Sequence, residues 1–113
     1  MHEMSLAEGI VQIVESTARA NQARAVRAVW LELGALSHVE QEALRFSFDV
    51  VKRGTVAEDA RLEVVTTPGR AWCMPCGAAT DLAQIGDPCP ACGSYQLQVT
   101  QGDEMRVKEI EIA

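Results

Sequence analysis

Residues 73–93 read CMPCGAATDLAQIGDPCPACG, and this stretch decides the architecture of the chain. Cys73 and Cys76 stand two residues apart, as do Cys89 and Cys92, and a glycine follows each pair at Gly77 and Gly93. Two intervening residues let one tight turn aim both sulfurs at a single point. Glycine accepts the positive φ that such a turn often needs. Two turns of this kind facing each other build a closed tetrahedral thiolate cage with metal–sulfur distances of about 2.3 Å, the geometry of structural zinc. The gap between Cys76 and Cys89 suits a small ribbon-like hairpin.

Other uses of the cysteines fit less well. Two disulfides need an oxidising compartment, and the chain opens on His2 and Glu3 instead of the positively charged stretch of a signal peptide. No apolar run approaches the roughly 20 residues that span a bilayer. The expectation is therefore a cytoplasmic protein with no membrane association. A redox dithiol usually places one Cys-x-x-Cys beside a βαβ pattern, not two matched copies. Four thiolates favour zinc over harder ions, while softness alone leaves iron open.

With 113 residues the chain supports one modest core and a small appended module. Its net charge of −6 argues against a general nucleic-acid binder. The cysteine segment sharpens this, because from 70 to 99 its one basic residue is Arg70, set against Asp81 and Asp87. A ribbon that grips phosphate carries lysines and arginines around its knuckles. No nucleic-acid partner is expected.

Outside the cysteine segment the pattern is α+β: two helices packed on a small, mainly antiparallel sheet, with a zinc-ribbon-like four-cysteine module inserted. Ser5 and Glu8 have capping-box spacing. Leu6, Ile10, Ile13 and Val14 then recur at helical period, predicting a helix that runs to about Asn21. Val29, Leu31 and Leu33 alternate with Ala28, Trp30 and Glu32 in a strand that Gly34 ends. Ser37 and Glu40 have the same capping-box spacing before a second helix, whose stripe is Leu44, Phe48 and Val51 and whose stop is Gly54. Strands are predicted around 61–67 and 105–112, the second with a change of phase between Val107 and Ile110 that suggests a bulge or a strand whose buried face switches as it leaves the module. Domain boundaries follow: an α+β domain from 1–67 plus 103–113, and a metal module over 68–102. That module offers only Trp72, Leu82, Ile85, Tyr95, Leu97 and Val99 as sizeable apolar groups. So few cannot offset the entropy of roughly thirty ordered residues, so its folding is expected to depend on metal.

The opening Met1-His2-Glu3 is a second candidate site. The terminal amine, backbone nitrogens and the His2 imidazole can form adjoining chelate rings, a nitrogen-rich planar arrangement that suits Ni(II) or Cu(II). Taken alone the motif is weak, since a terminal histidine is most often simply solvated.

In combination the signals are more specific. Met1-His2-Glu3 before an amphipathic helix, the Glu32-Leu33-Gly34 strand end, the paired Cys-x-x-Cys steps and the return Gln101-Gly102-Asp103-Glu104-Met105 together resemble the HypA/HybF family of nickel metallochaperones for [NiFe]-hydrogenase maturation. The resemblance runs over essentially the whole chain. It implies nickel binding by His2 and its backbone neighbours with help from Glu3, and structural zinc on Cys73, Cys76, Cys89 and Cys92. An acidic residue at the start of the second helix contributes to nickel in some members, and Glu40 holds that position here. A cap for that helix explains Glu40 equally well. His38 corresponds to nothing in the family motif, and the simpler reading is a surface histidine.

The same resemblance implies Ni(II) as transferred cargo, Zn(II) as a structural ion, and as partners the HypB GTPase and a hydrogenase large-subunit precursor. The expected chain is a monomer or weak homodimer and not an enzyme. Neither a Ser/His/Asp arrangement, a phosphate-binding glycine loop nor a pair of catalytic carboxylates can be made out. Two alternatives from other classes are a dithiol redox protein and a zinc-ribbon protein-interaction module. The first fits matched knuckles poorly, and the second leaves the Met1-His2-Glu3 start unexplained.

Overall fold

Helix α1 spans Glu3–Ala20 and buries Ala7, Ile10, Val11, Val14 and Ala18. These positions recur at the three- and four-residue steps of one helical face. Ile13, counted in the stripe on sequence, is 51% exposed. At about 100° per residue it lies roughly 120° from the centre of that face, which the small Ala7 and Ala18 occupy. The start of the helix also differs from expectation. Its N-cap is His2, without a side-chain cap bond, so Ser5 lies inside the first turn and forms no capping box.

The computed structural model describes residues 2–113. After α1 come β1 (Val26–Gly34), α2 (Gln41–Val51), β2 (Arg61–Thr67), β3 (Arg70–Cys73), β4 (Ala78–Asp81), β5 (Leu97–Gln101) and β6 (Met105–Ile112). The architecture is α+β. One three-stranded sheet has the order β2-β1-β6, and a second has the order β4-β3-β5. The chain divides into two compact units: one is the chain up to Leu31 with His38–Val64 and Val107–Ala113, the other Glu32–Ser37 with Val65–Arg106.

In the first unit, α1 supplies its apolar face and β1 supplies Val26, Ala28, Val29 and Leu31 to the buried set. Helix α2 adds Leu44 and Phe48, and Leu62 of β2 is 7% exposed. Helix α2 is N-capped by Glu40, whose side chain accepts from the Glu42 amide. Ser37 instead donates its hydroxyl to the Gly34 carbonyl at 2.7 Å, a turn contact and not a cap. Helix α2 ends at Val51 with Lys52 as its C-cap, and Gly54, with φ of 76°, turns the chain two residues beyond that cap. In β6 the half-buried positions are Met105, Val107, Ile110 and Glu111, so the phase does shift across the exposed Lys108 and Glu109.

In the second unit, β3 runs antiparallel to β4, with Trp72 opposite Ala79, and antiparallel to β5, with Cys73 opposite Leu97. The β3–β5 register shifts between Arg70 and Ala71. Leu36, Ala71 and Leu82 form the buried cluster, with Leu97 and Val99 packed on it. Leu36 lies far from the module in sequence, so periodicity within residues 70–99 could not reveal it.

Three glycines allow the backbones here to cross closely. A Cβ on Gly34 would run into the Gly102 carbonyl, and one on Gly102 would sit 2.7 Å from the Gly69 Cα. Gly102 also has φ of 95°. Bonds from Leu36 N to Gly102 O (2.7 Å), Ala35 N to Thr67 O (2.9 Å) and Gly34 N to Glu104 O (2.8 Å) draw these segments together.

Substitution should read this crossing directly. We expect Gly102→Ala to destabilise the metal-loaded protein by about 2–4 kcal/mol, since strain and overpacking act together. Gly9 lies in α1 with nothing within 4 Å of an added Cβ, so Gly9→Ala should stabilise by about 0.5–1 kcal/mol. Guanidinium unfolding of both variants checks the pair. Equal effects would show that the crossing imposes no constraint.

Candidate metal centre

The two knuckles are built alike. Cys73 closes β3, and Gly77 N donates to its carbonyl at 2.9 Å, while Gly93 N donates to the Cys89 carbonyl at 2.8 Å. The glycines carry φ of 60° at Gly77 and 77° at Gly93. A further bond from Cys89 N to Ser94 O at 2.8 Å fixes the second knuckle. Within each pair the first cysteine, Cys73 or Cys89, is buried, and the second, Cys76 or Cys92, is exposed.

The four sulfurs converge. All lie within 4.8 Å of one another, and Cys73 Sγ stands 3.6 Å from Cys92 Sγ. A tetrahedron with arms of about 2.3 Å has edges of about 3.8 Å, so the spacing fits a single ion bound by four thiolates. None of the four is in a disulfide.

Electrostatics make the same point. The amides of Cys92 and Ala91 donate to Cys89 and lower its pKa to about 6. Contact with the Cys92 and Cys73 thiols pushes Cys76 up to about 12. For Cys73 the Cys76 amide pulls downward, but burial and the Cys92 thiol outweigh it, and the net direction is up. One negative charge is comfortable in this cluster and a second is not. A dication removes the conflict by neutralising the sulfurs as they ionise.

The amino-terminal candidates are placed as follows. Met1 lies outside the described residues. His2 is exposed, and its carbonyl accepts the Leu6 amide at 3.1 Å, the first bond of α1. The Glu40 amide donates to Glu3 Oε2 at 3.1 Å, so the starts of α1 and α2 are joined by one bond. That amide holds the Glu3 carboxyl below the usual carboxylate range. Glu40 uses Oε1 to accept the Glu42 amide at 3.0 Å. His38 is exposed, two residues before Glu40. Among the described residues, the cysteines form the one group of three or more His, Cys, Asp or Glu side chains gathered closely enough to hold a metal. Glu3 and Glu40 are brought together, but not as a closed cage.

Sequence reasoning found the four sulfurs and missed what tunes them, the backbone donors at Cys76, Ala91 and Cys92. No side-chain pattern encodes those amides, although the glycine after each pair hints at the turn that aims them.

An α+β chain that carries a four-cysteine knuckle pair in one unit and a joined pair of helix starts in the other defines a small metal-handling protein. Residues 1–112 match the family described as hydrogenase/urease nickel incorporation, metallochaperone, hypA, and the chain belongs to that family. A hydrogenase maturation factor HypA of Azotobacter chroococcum mcd 1 is 61% identical over 112 residues, covering 99% of each chain. A second, from Rhodopseudomonas palustris strain BisA53, is 57% identical over the same length and share. Among solved structures, that of the nickel metallochaperone HypA from Helicobacter pylori superposes with a TM-score of 0.73 at 27% identity. The match covers 99% of this chain and 97% of that one. Among the described residues, no helix is long and apolar enough to cross a membrane.

Ligation must displace thiol protons, so metal affinity at this centre should rise with pH and fall in acid. Near neutrality, uptake of one Zn(II) is expected to release about two to four protons. Calorimetry in two buffers of different ionisation heat measures the number. No proton release would show that the cysteines are not the ligands.

Proposed function

We propose that this metallochaperone separates two metals by site: Zn(II) is held for architecture by Cys73, Cys76, Cys89 and Cys92, and Ni(II) is carried as cargo at the amino terminus. In this reading the nickel ligands are the Met1 amine, the backbone nitrogens and imidazole of His2, with Glu3 and Glu40 contributing beside them. The zinc module corresponds to residues 68–102. The protein catalyses no reaction and passes its ion by ligand exchange, working in the cytoplasm as a monomer or weak homodimer. Its partners are the HypB GTPase and a hydrogenase large-subunit precursor.

The bond from the Glu40 amide to the Glu3 carboxylate carries the reading. It sets the exposed His2 at a place where two helix starts meet, with carboxylates from both. Such a site is open, so a partner's ligands can approach the ion without unfolding the carrier. Nitrogen and oxygen donors suit nickel, whereas sulfur donors suit the retained ion. Glu40 also caps α2, and Glu40→Gln keeps an acceptor for the Glu42 amide while removing the charge. Weaker nickel binding in that variant with α2 intact would speak for ligation.

Nickel titration of the zinc-loaded, untagged chain tests the proposal. His2→Ala should lose Ni(II) binding while keeping its fold and its zinc. Unaltered nickel stoichiometry in that variant would falsify the assignment. Cys73→Ser should lose zinc and broaden the backbone NMR signals of residues 70–99, because the apolar cluster there is small: Ala71 and Leu82 with Leu36, and Leu97 and Val99 packed on it. Retention of a native spectrum after chelation would show that the module folds without its ion.

A further inference from the structure

Strand β5 is an edge of the sheet ordered β4-β3-β5. Natural sheets protect such edges with charges, proline or shortness. The other edge strands do so: β2 carries Arg61 and Glu63, β6 carries Arg106, Lys108, Glu109 and Glu111, and β4 spans only Ala78–Asp81. From Tyr95 to Gln101 the chain reads YQLQVTQ, with neither charge nor proline. Met74 N donates to Gln96 O at 3.0 Å. Antiparallel alternation then turns the Val99 N–H and C=O away from β3, together with the Leu97 carbonyl.

Two adjoining hollows are lined by residues from 81–90, and one of them reaches this edge through Leu97 and Val99. One, about 280 Å³, is lined by Leu82, Ile85, Asp87, Tyr95, Leu97 and Val99. The other, about 270 Å³, is lined by Leu82, Ala83, Pro88 and Pro90 with Asp81 and Asp87. They share Leu82 and Asp87. Asp81 is already paired with Arg70. Tyr95 and Ile85 on the rim are 73% and 54% exposed. Residues 71–105 contain Asp81, Asp87, Asp103 and Glu104 and no lysine, arginine or histidine.

We propose that β5 and the paired hollows bind an extended segment of a protein partner in which a lysine or arginine stands between apolar side chains. The segment adds to the sheet along β5, its apolar groups enter the hollows, and its cation meets Asp87. Main-chain pairing supplies affinity in this mode of recognition and the pockets supply selectivity. Charge picks this occupant over a second copy of the chain, since β5 against β5 would bring together two surfaces that are both acidic and carry no cation to meet Asp87. Nothing in the proposal involves nickel, so it stands or falls separately from the amino-terminal site.

A displayed library of random heptapeptides, selected against the zinc-loaded full chain, tests it. Enrichment should converge on apolar–basic–apolar sequences. A synthetic peptide of that consensus should shift the amide signals of residues 82–88 and 95–101, and its lysine-to-glutamate counterpart should bind at least tenfold more weakly. Asp87→Asn and Ile85→Ala, both at exposed or half-buried positions, should each weaken the consensus peptide at least fivefold with zinc content unchanged. The proposal is overturned by no enrichment, by a consensus lacking a basic residue, or by signals that move elsewhere. Movement of the 95–101 signals with protein concentration alone would assign the edge to a second copy and would likewise overturn it.

Discussion

Sulfurs packed as closely as those of Cys73, Cys76, Cys89 and Cys92 cannot all carry charge unless a cation sits among them, and the inserted module depends on that constraint. The backbone has arranged donors for only part of the load. Amides reach Cys89 and draw its pKa to about 6, while Cys76, facing other thiols, is driven to about 12. The polypeptide alone thus leaves an electrostatic conflict at the place where β3 ends and both knuckles meet. The hydrophobic contribution is too small to hide it, because the buried cluster of this unit is Leu36, Ala71 and Leu82. Trp72, Met74, Ile85 and Tyr95, its bulkier apolar groups, face solvent. With most of its large side chains outward, the module has backbone pairing and, under the proposed zinc assignment, a bound ion to hold its order.

Much of the α+β unit is readable from the sequence, because its elements obey simple periods. Val29, Leu31 and Leu33 of the alternation and Leu44 and Phe48 of the stripe are buried as those periods require, whereas Ala28, of the opposite parity, is buried as well and Val51 is only half-buried. Errors arose where size and hydrophobicity part company. Ala7 and Ala18 are fully buried yet carry little apolar weight in a periodicity count, so Ile13 was placed in the stripe that they complete. Both capping boxes failed for a related reason. Spacing identifies a pair able to cap, but whether it caps depends on where the helix begins. A bond across the fold from the Glu40 amide to Glu3 helps set both helix starts, and no local window contains it.

The site shows the same division. Four cysteines at matched spacing predict a cage because turn geometry is local, and the convergence of the sulfurs follows. The crossing of Gly34, Gly69 and Gly102 is a non-local property of three separate segments. Each glycine alone reads as a strand end or a turn. Together they let carbonyls and Cα atoms approach more closely than any side chain would permit, and the base of the module is bonded through backbone at Leu36 and Ala35. A sequence can announce that glycine is needed without saying against what.

Retention and release ask opposite things of a ligand set, and the proposed function assigns the first to the four sulfurs and the second to the amino terminus. Four thiolates fixed by two backbone turns lose little freedom on binding and exclude other donors, so an ion held there exchanges slowly. The meeting point of α1 and α2 has few such fixtures: an exposed imidazole, a carboxylate already engaged by an amide, and a second one engaged in capping. Partial engagement matters physically. A carboxylate that already accepts a hydrogen bond is held in position but weakened as a donor, so it can steady an ion without trapping it. Delivery demands that balance, and under the proposed assignment the bonds that start two helices would supply it.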